Sequence, residues 1–111
     1  MEKAVLYVRV SSKEQSEKGF SIPAQRKLLR DYAEKNNLSV VREFEEVESA
    51  KAAGRKEFEK MLDFLRRNET VEHILVEKTD RLTRNLRDVV KIDDLGRTLH
   101  FVKEGRIIGE E

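Results

Sequence analysis

The sequence predicts a three-layer α/β/α domain built on a mostly parallel sheet. Strand-length apolar runs, Val5-Leu6-Tyr7-Val8, Val40-Val41 and Ile74-Leu75-Val76, alternate with stretches of helical period. That alternation argues for βαβ units. The strand runs are nearly continuous rather than alternating, as strands covered on both faces require. A length of 111 residues fits one domain with one modest core.

The first strand spans Lys3 to Val10, and a polar stretch follows from Ser11 to Gly19. Ser21 has the chemistry of an N-cap, and Pro23 falls in the first helical turn, where proline is tolerated. The helix they open runs to Asn36-Asn37, with Ile22, Leu28 or Leu29, Tyr32 and Ala33 as its inner stripe. The second strand is Leu38 to Phe44, with Val40 and Val41 buried, and Glu45 to Gly54 reads as an acidic, then small-residue loop. Phe58, Met61, Leu62 and Leu65 recur at i, i+3, i+4 and i+7 and define a second helix from Arg55 to Arg67. Asn68-Glu69-Thr70 ends it. The third strand is Val71 to Glu77, and a short helix follows from Asp80 to Lys91. Leu99 to Lys103 is a fourth strand and Arg106 to Ile108 a short fifth, giving a sheet of four or five strands.

Composition narrows the function classes. Charged residues make up 41% of the chain, yet 23 basic residues against 22 acidic ones leave a net charge of +1. The chain as a whole is therefore no basic glove for nucleic acid, and any anion site must come from local placement of Arg and Lys. There is no Cys, hence no disulfide framework and no thiolate metal site. No signal peptide or membrane-spanning run is visible, which makes the cytoplasm the default location and a membrane partner unexpected.

The stretch that calls for a chemical explanation is Tyr7-Val8-Arg9-Val10-Ser11-Ser12. Strand alternation puts Tyr7, Arg9 and Ser11 on one face and Val8, Val10 and Ser12 on the other. Arginine is seldom buried unless paired. A guanidinium two residues from a hydroxyl, at the strand end where open α/β sheets bind ligands, suits an anion and a nucleophile. Taken alone, the stretch equally fits an ordinary first strand with a snorkelling Arg9 and a Ser11 or Ser12 helix cap.

The second such stretch is Asp80-Arg81-Leu82-Thr83-Arg84, directly after the third strand. Arg81 and Arg84 share a helix face and repel unless an anion lies between them. The plain alternative is a solvated face with an Asp80 cap and a surface Arg84–Asp88 pair. Together, Arg9, Ser11, Arg81 and Arg84 can line one pocket, a hydroxyl among three cations. That arrangement suits attack on a phosphodiester.

At this point the residues match a known pattern. Tyr7-x-Arg9-Val10-Ser11, with Gln15 and Gln25 after it, resembles the N-terminal catalytic domain of serine recombinases, the resolvase/invertase family. Asp80-Arg81-Leu82-x-Arg84 is similar to that family's second signature, and Ser49 with Arg55 to a third. Gly19-Phe20-Ser21-Ile22-x-x-Gln25 is closer to the large serine recombinases of phages and transposons. The resemblance runs from Lys3 to Lys103 and implies a last strand running antiparallel. It implies that Ser11 is the nucleophile, forming a 5′-phosphoserine link, and that Arg9, Arg81 and Arg84 bind the scissile phosphate. Asp80 would steer those arginines or handle the leaving-group proton. Gln15, Gln25, Ser49 and Arg55 would support the site, with Tyr7 packed beneath it. No metal or other cofactor is implied, and the partners are DNA and further copies of the chain.

The chain departs from the family in two ways. Glu46 stands where many members carry Asp, and the family's long dimerisation helix and DNA-binding region do not follow Lys103. Residues 1–111 therefore read as a catalytic domain expected to be inactive alone. Two alternatives from other classes stand beside this reading. One is a metal-dependent nuclease using Glu46, Glu48 and Asp80; the other is a non-catalytic α/β anion-binding regulatory module. His73 and His100 lack ligand spacing and read as isolated packing or surface residues.

Overall fold

A computed structural model describes residues 1–11, 22–48, 55–82 and 86–109, with the backbone alone at Ser11, Glu48, Asp80, Leu86, Arg87 and Val89. Among these residues, β1 (Glu2–Ser11), β2 (Leu38–Glu48), β3 (Val71–Val76), β4 (Thr98–Phe101) and β5 (Arg106–Ile108) form one sheet in the order β2-β1-β3-β4-β5. The β1–β2, β1–β3 and β3–β4 pairs are parallel and β4–β5 is antiparallel, as expected. Parallel neighbours need crossovers. The chain supplies them as α1 (Ile22–Lys35), α2 (Lys56–Arg67), and the pair α3 (Thr79–Leu82) and α4 (Leu86–Asp93). A 3-10 turn, Val102–Glu104, closes on Gly105 at φ 64 and reverses the chain into β5.

β1 is the middle of the molecule because both of its faces are covered. Ala4, Leu6, Val8 and Val10 pack with Ile22, Leu29 and Ala33 of α1. Val5 and Tyr7 point the other way, into the α2 stripe of Phe58, Met61, Leu62 and Leu65 and towards Ile92 of α4. Side chains of this size contribute about 1.5–3 kcal/mol each on full burial, so the two clusters set the three-layer order. The stop at Asn36-Asn37 holds: Asn37 takes the left-handed conformation at φ 55, which Asn tolerates better than most residues.

Two expectations need correction. β2 runs on to Glu48, so the predicted acidic loop is largely strand. Its acids face partners: Glu43 pairs with Arg26 Nε at 3.0 Å and Arg30 Nη2 at 2.8 Å, and Glu45 pairs with Arg26. Val41 is not buried but 40% exposed. The β1–β2 register steps from Ala4↔Val40 to Val5↔Arg42, leaving Val41 as an extra, bulged residue. The helix expected from Asp80 to Lys91 is described on either side of residues 83–85, as α3 and α4, and those three residues lie outside the described set. Among the described residues, no helix is long and apolar enough to cross a membrane.

Candidate active site

β1 ends at Ser11, and its parity is as predicted from Tyr7 to Val10. Tyr7 lies in the α2-side core, Val8 and Val10 lie in the α1-side core, and Arg9 is half-buried beyond Tyr7. Burial pushes the Tyr7 hydroxyl well above the ordinary tyrosine range, with Glu46 adding to the rise and Arg55 and Arg9 opposing it. Arg9 is held by its backbone. The fully buried Gln25 of α1 accepts from Arg9 N at 3.2 Å and donates to Arg9 O at 3.2 Å. A side-chain amide offers one acceptor and two donors, so a single residue can read both groups of one peptide unit. The strand end is thereby fixed to α1.

The arginines converge on the end of α3. Arg9 Nε donates to the Arg81 carbonyl at 3.0 Å, and Arg55 Nη2 donates to the next carbonyl, that of Leu82. Arg81 itself is buried, with its Nε 3.3 Å from the buried carboxylate of Glu77. Arg55 Nη2 also reaches Asp88 of α4 at 3.0 Å, and the Arg55 guanidinium lies 4.3 Å from the Phe58 ring centroid. Among the described residues, Arg55 Nε and Nη1 are buried without a hydrogen-bond partner. Arg9 from β1, Arg55 ahead of α2 and Arg81 of α3 are thus gathered round one turn from three separate parts of the chain. Such a set can fork onto an oxyanion.

Glu46 has a role that the sequence left in doubt. It lies within β2 opposite Arg9, is buried, and accepts from Tyr7 Oη at 3.2 Å, Glu57 N at 3.2 Å and Phe58 N at 3.1 Å. The last two are orphan donors of the first turn of α2, whose own N-cap Arg55 makes no side-chain cap. A strand carboxylate thus caps a helix across the layer boundary. Both of its oxygens are committed, which removes Glu46 from the carboxylate set that the nuclease alternative needs.

Of the other predicted residues, Gln15, Ser49 and Arg84 lie outside the described residues, as do Ser12 and the Ser21 cap. Ser11 and Asp80 are described in backbone only, at the end of β1 and within α3. The expected Arg84–Asp88 pair falls on Arg84 and lies outside the described residues; Asp88 itself is buried and bonded to Arg55. His73 and His100 are not isolated: His73 Nδ1 is 2.9 Å from His100 Nε2. Burial pushes His100 down to about 4, so its ring is neutral near pH 7.

Glu77, Asp88 and Glu104 were missed. Glu77 stands at i, i+4 from Arg81, a spacing that could have found it. Asp88 is 33 residues from Arg55, and no local pattern links them. Glu104, in the 3-10 turn, accepts from Thr79 N at 3.0 Å and Thr79 Oγ1 at 2.6 Å, tying down the start of α3.

The fold and these side chains define an α/β/α domain whose polar residues gather at the C-terminal ends of its parallel strands. Residues 4–110 match the resolvase N-terminal domain, and the chain belongs to that family. Similar solved structures are an integrase catalytic domain, a resolvase family recombinase and the catalytic domain of a serine recombinase. The N-terminal catalytic domain of TP901-1 integrase is 25% identical over 97% of this chain and 83% of that one, with TM-score 0.81. A resolvase family site-specific recombinase from Streptococcus pneumoniae is 28% identical over 100% and 78%, with TM-score 0.80. The C-terminal catalytic domain of ISC1926 TnpA, an IS607-like serine recombinase, is 27% identical over 90% and 67%, with TM-score 0.73. No curated protein sequence is significantly similar to the chain.

Proposed function

We propose that this domain cleaves and rejoins DNA strands in site-specific recombination, with Ser11 as the nucleophile. Ser11 Oγ attacks the phosphorus, loses its proton, and forms a phosphoserine link to the 5′ side of the break. The bond to the 3′ oxygen breaks, and that oxygen leaves as a hydroxyl after taking a proton. Attack by a 3′-hydroxyl on the phosphoserine reverses the step and joins strands. The phosphoester bond is exchanged rather than hydrolysed, so no ATP is required.

The observation that carries this reading is the gathering of Arg9, Arg55 and Arg81 round the turn that follows the third strand, on the rim where β1 ends at Ser11. Charge builds on the non-bridging oxygens as the phosphorus is attacked, and preorganised donors act where it builds. Arg84 as a further phosphate ligand, Asp80 as the group that steers the arginines or handles the leaving-group proton, and Gln15 and Ser49 as supporting residues take their roles from the motif match. DNA is the substrate, and further copies of the chain supply the other active sites needed to exchange strands.

Covalent trapping tests the reading. A recombinase carrying this domain together with a dimerisation helix and a DNA-binding region is incubated with a nicked duplex and the adduct is mapped by mass spectrometry. An adduct on Ser11 is expected, absent in Ser11→Ala and unaffected by chelator. An adduct on Ser12, or cleavage without adduct that chelator abolishes, overturns it.

A further inference from the structure

We propose that His73, Glu2 and Glu72 form a binding site for a divalent transition-metal ion, best matched by Zn²⁺, at the end of the sheet opposite Ser11. The side-chain ligand atoms of the three residues lie within 4.8 Å of one another, and His73 Nε2 is already 3.0 Å from Glu2 Oε2. Two features show that this is more than a chance cluster of surface acids.

The first is the backbone. Glu72 and His73 are neighbours on a strand and should face opposite sides. The β1–β3 register, however, steps from Lys3↔Val71 to Ala4↔His73, passing over Glu72. A bulge of this kind re-aims side chains. Here it accounts for two adjacent donors meeting beside the start of β1.

The second is the support behind the imidazole. Metal-bound histidines almost always have their other ring nitrogen held, which fixes the tautomer and the ring plane. His73 Nδ1 is 2.9 Å from His100 Nε2, and His100 Nδ1 is 2.7 Å from Tyr32 Oη. His100 is 6% exposed, and Tyr32 belongs to α1, so the chain of bonds is anchored in the core. With a metal on His73 Nε2, Nδ1 carries the proton and donates to His100 Nε2. His100 Nδ1–H then donates to the Tyr32 hydroxyl oxygen. Without metal the chain runs the other way: Tyr32 O–H to His100, His100 Nε2–H to His73, and His73 Nε2–H to Glu2. Each imidazole keeps one proton in either direction, so loading costs only a reversal of tautomers.

The donor set selects the ion. Two carboxylates neutralise a divalent charge, and one imidazole favours Zn²⁺ and its neighbours over Mg²⁺ or Ca²⁺. Three protein ligands leave a position for water. β1 carries Glu2 at one end and Ser11 at the other; at about 3.3 Å per residue the site is roughly 30 Å from the nucleophile. Its effect is to staple the start of β1 to β3, a structural role.

The test is calorimetric titration of the untagged, metal-stripped chain with Zn²⁺, with thermal melting on the same samples. The chain has 2 histidines in all, so no other imidazole pair competes. One equivalent should bind and raise the melting temperature. Glu2→Gln and Glu72→Gln are exposed changes that leave the fold alone, and each should weaken binding by about tenfold or more. His73→Gln should abolish binding. Parent-like affinity in both glutamine variants overturns the site, as does no saturable binding at submillimolar Zn²⁺. If His73→Gln fails to fold, the two glutamate variants decide.

Discussion

At the residue scale, the rim arginines hold the fold and, in the proposed reaction, also meet the phosphate, and variants can separate the two roles. Arg81→Ala removes a charge donor, which in a preorganised site costs about 10²–10³ in rate. It also strands the buried Glu77 carboxylate, so the fold loses stability as well. The double variant Glu77→Gln/Arg81→Ala should regain most of that stability in urea melts while adduct formation stays lost. Recovery of both would make Arg81 purely structural. Arg55→Ala should destabilise the chain by about 2–3 kcal/mol, because Asp88 and the Leu82 carbonyl lose a charged donor together. A change below about 0.5 kcal/mol, the usual range for surface positions, would show that the contacts contribute nothing to stability.

At the element scale, the site depends on how helix starts are held from outside. α2 begins on Glu46 of β2, and α3 begins on Glu104 of the 3-10 turn. Glu46→Ala should leave the Glu57 and Phe58 amides and the Tyr7 hydroxyl without their partner. About 2–3 kcal/mol should be lost in urea melts, and exchange of those two amides should accelerate selectively. Uniform exchange across the chain would show that Glu46 is not the cap. Thr79 holds the Glu104 carboxyl below the usual carboxylate range, through its hydroxyl and its amide. A lowered acid stabilises above its unfolded value and loses that contribution as pH falls through its folded value. Protection of the Thr79 amide should therefore be full at neutral pH and fall only below the ordinary glutamate range. In Glu104→Gln that pH step should vanish, as hydrogen exchange across an acid series would read.

At the scale of the whole molecule, the charge balance governs DNA binding. Nonspecific affinity comes from neutralising phosphates and releasing counterions, and a net charge of +1 leaves only the rim to contribute. The apolar faces of α1 and α2 are committed to the sheet, so neither is a spare recognition helix. The 111-residue chain should bind duplex DNA weakly, with a shallow salt dependence and no sequence preference. Gel-shift titration at two salt concentrations checks this; tight, sequence-selective binding would reveal a groove-reading element among these residues.

The order of strands and helices was legible in the sequence because it is written in local periodicity. The continuous apolar run of β1, the i, i+3, i+4, i+7 stripe of α2 and the asparagine stop of α1 each operate over a few neighbouring residues. The parity that places Tyr7 and Arg9 on one face was legible for the same reason. Contacts set by packing across layers were not legible. Glu46 reads as part of an acidic run until β2 pairs with β1 and brings it under the first turn of α2. Val41 and Glu72 look like regular strand positions until the register on β1 passes over them. His73 and His100 stand 27 residues apart, and only the β3–β4 pairing brings their rings within hydrogen-bond distance. Local pattern selects the elements because side-chain period is a property of each segment alone. Register and crossover geometry decide which polar groups meet, because that depends on how separate segments share one core.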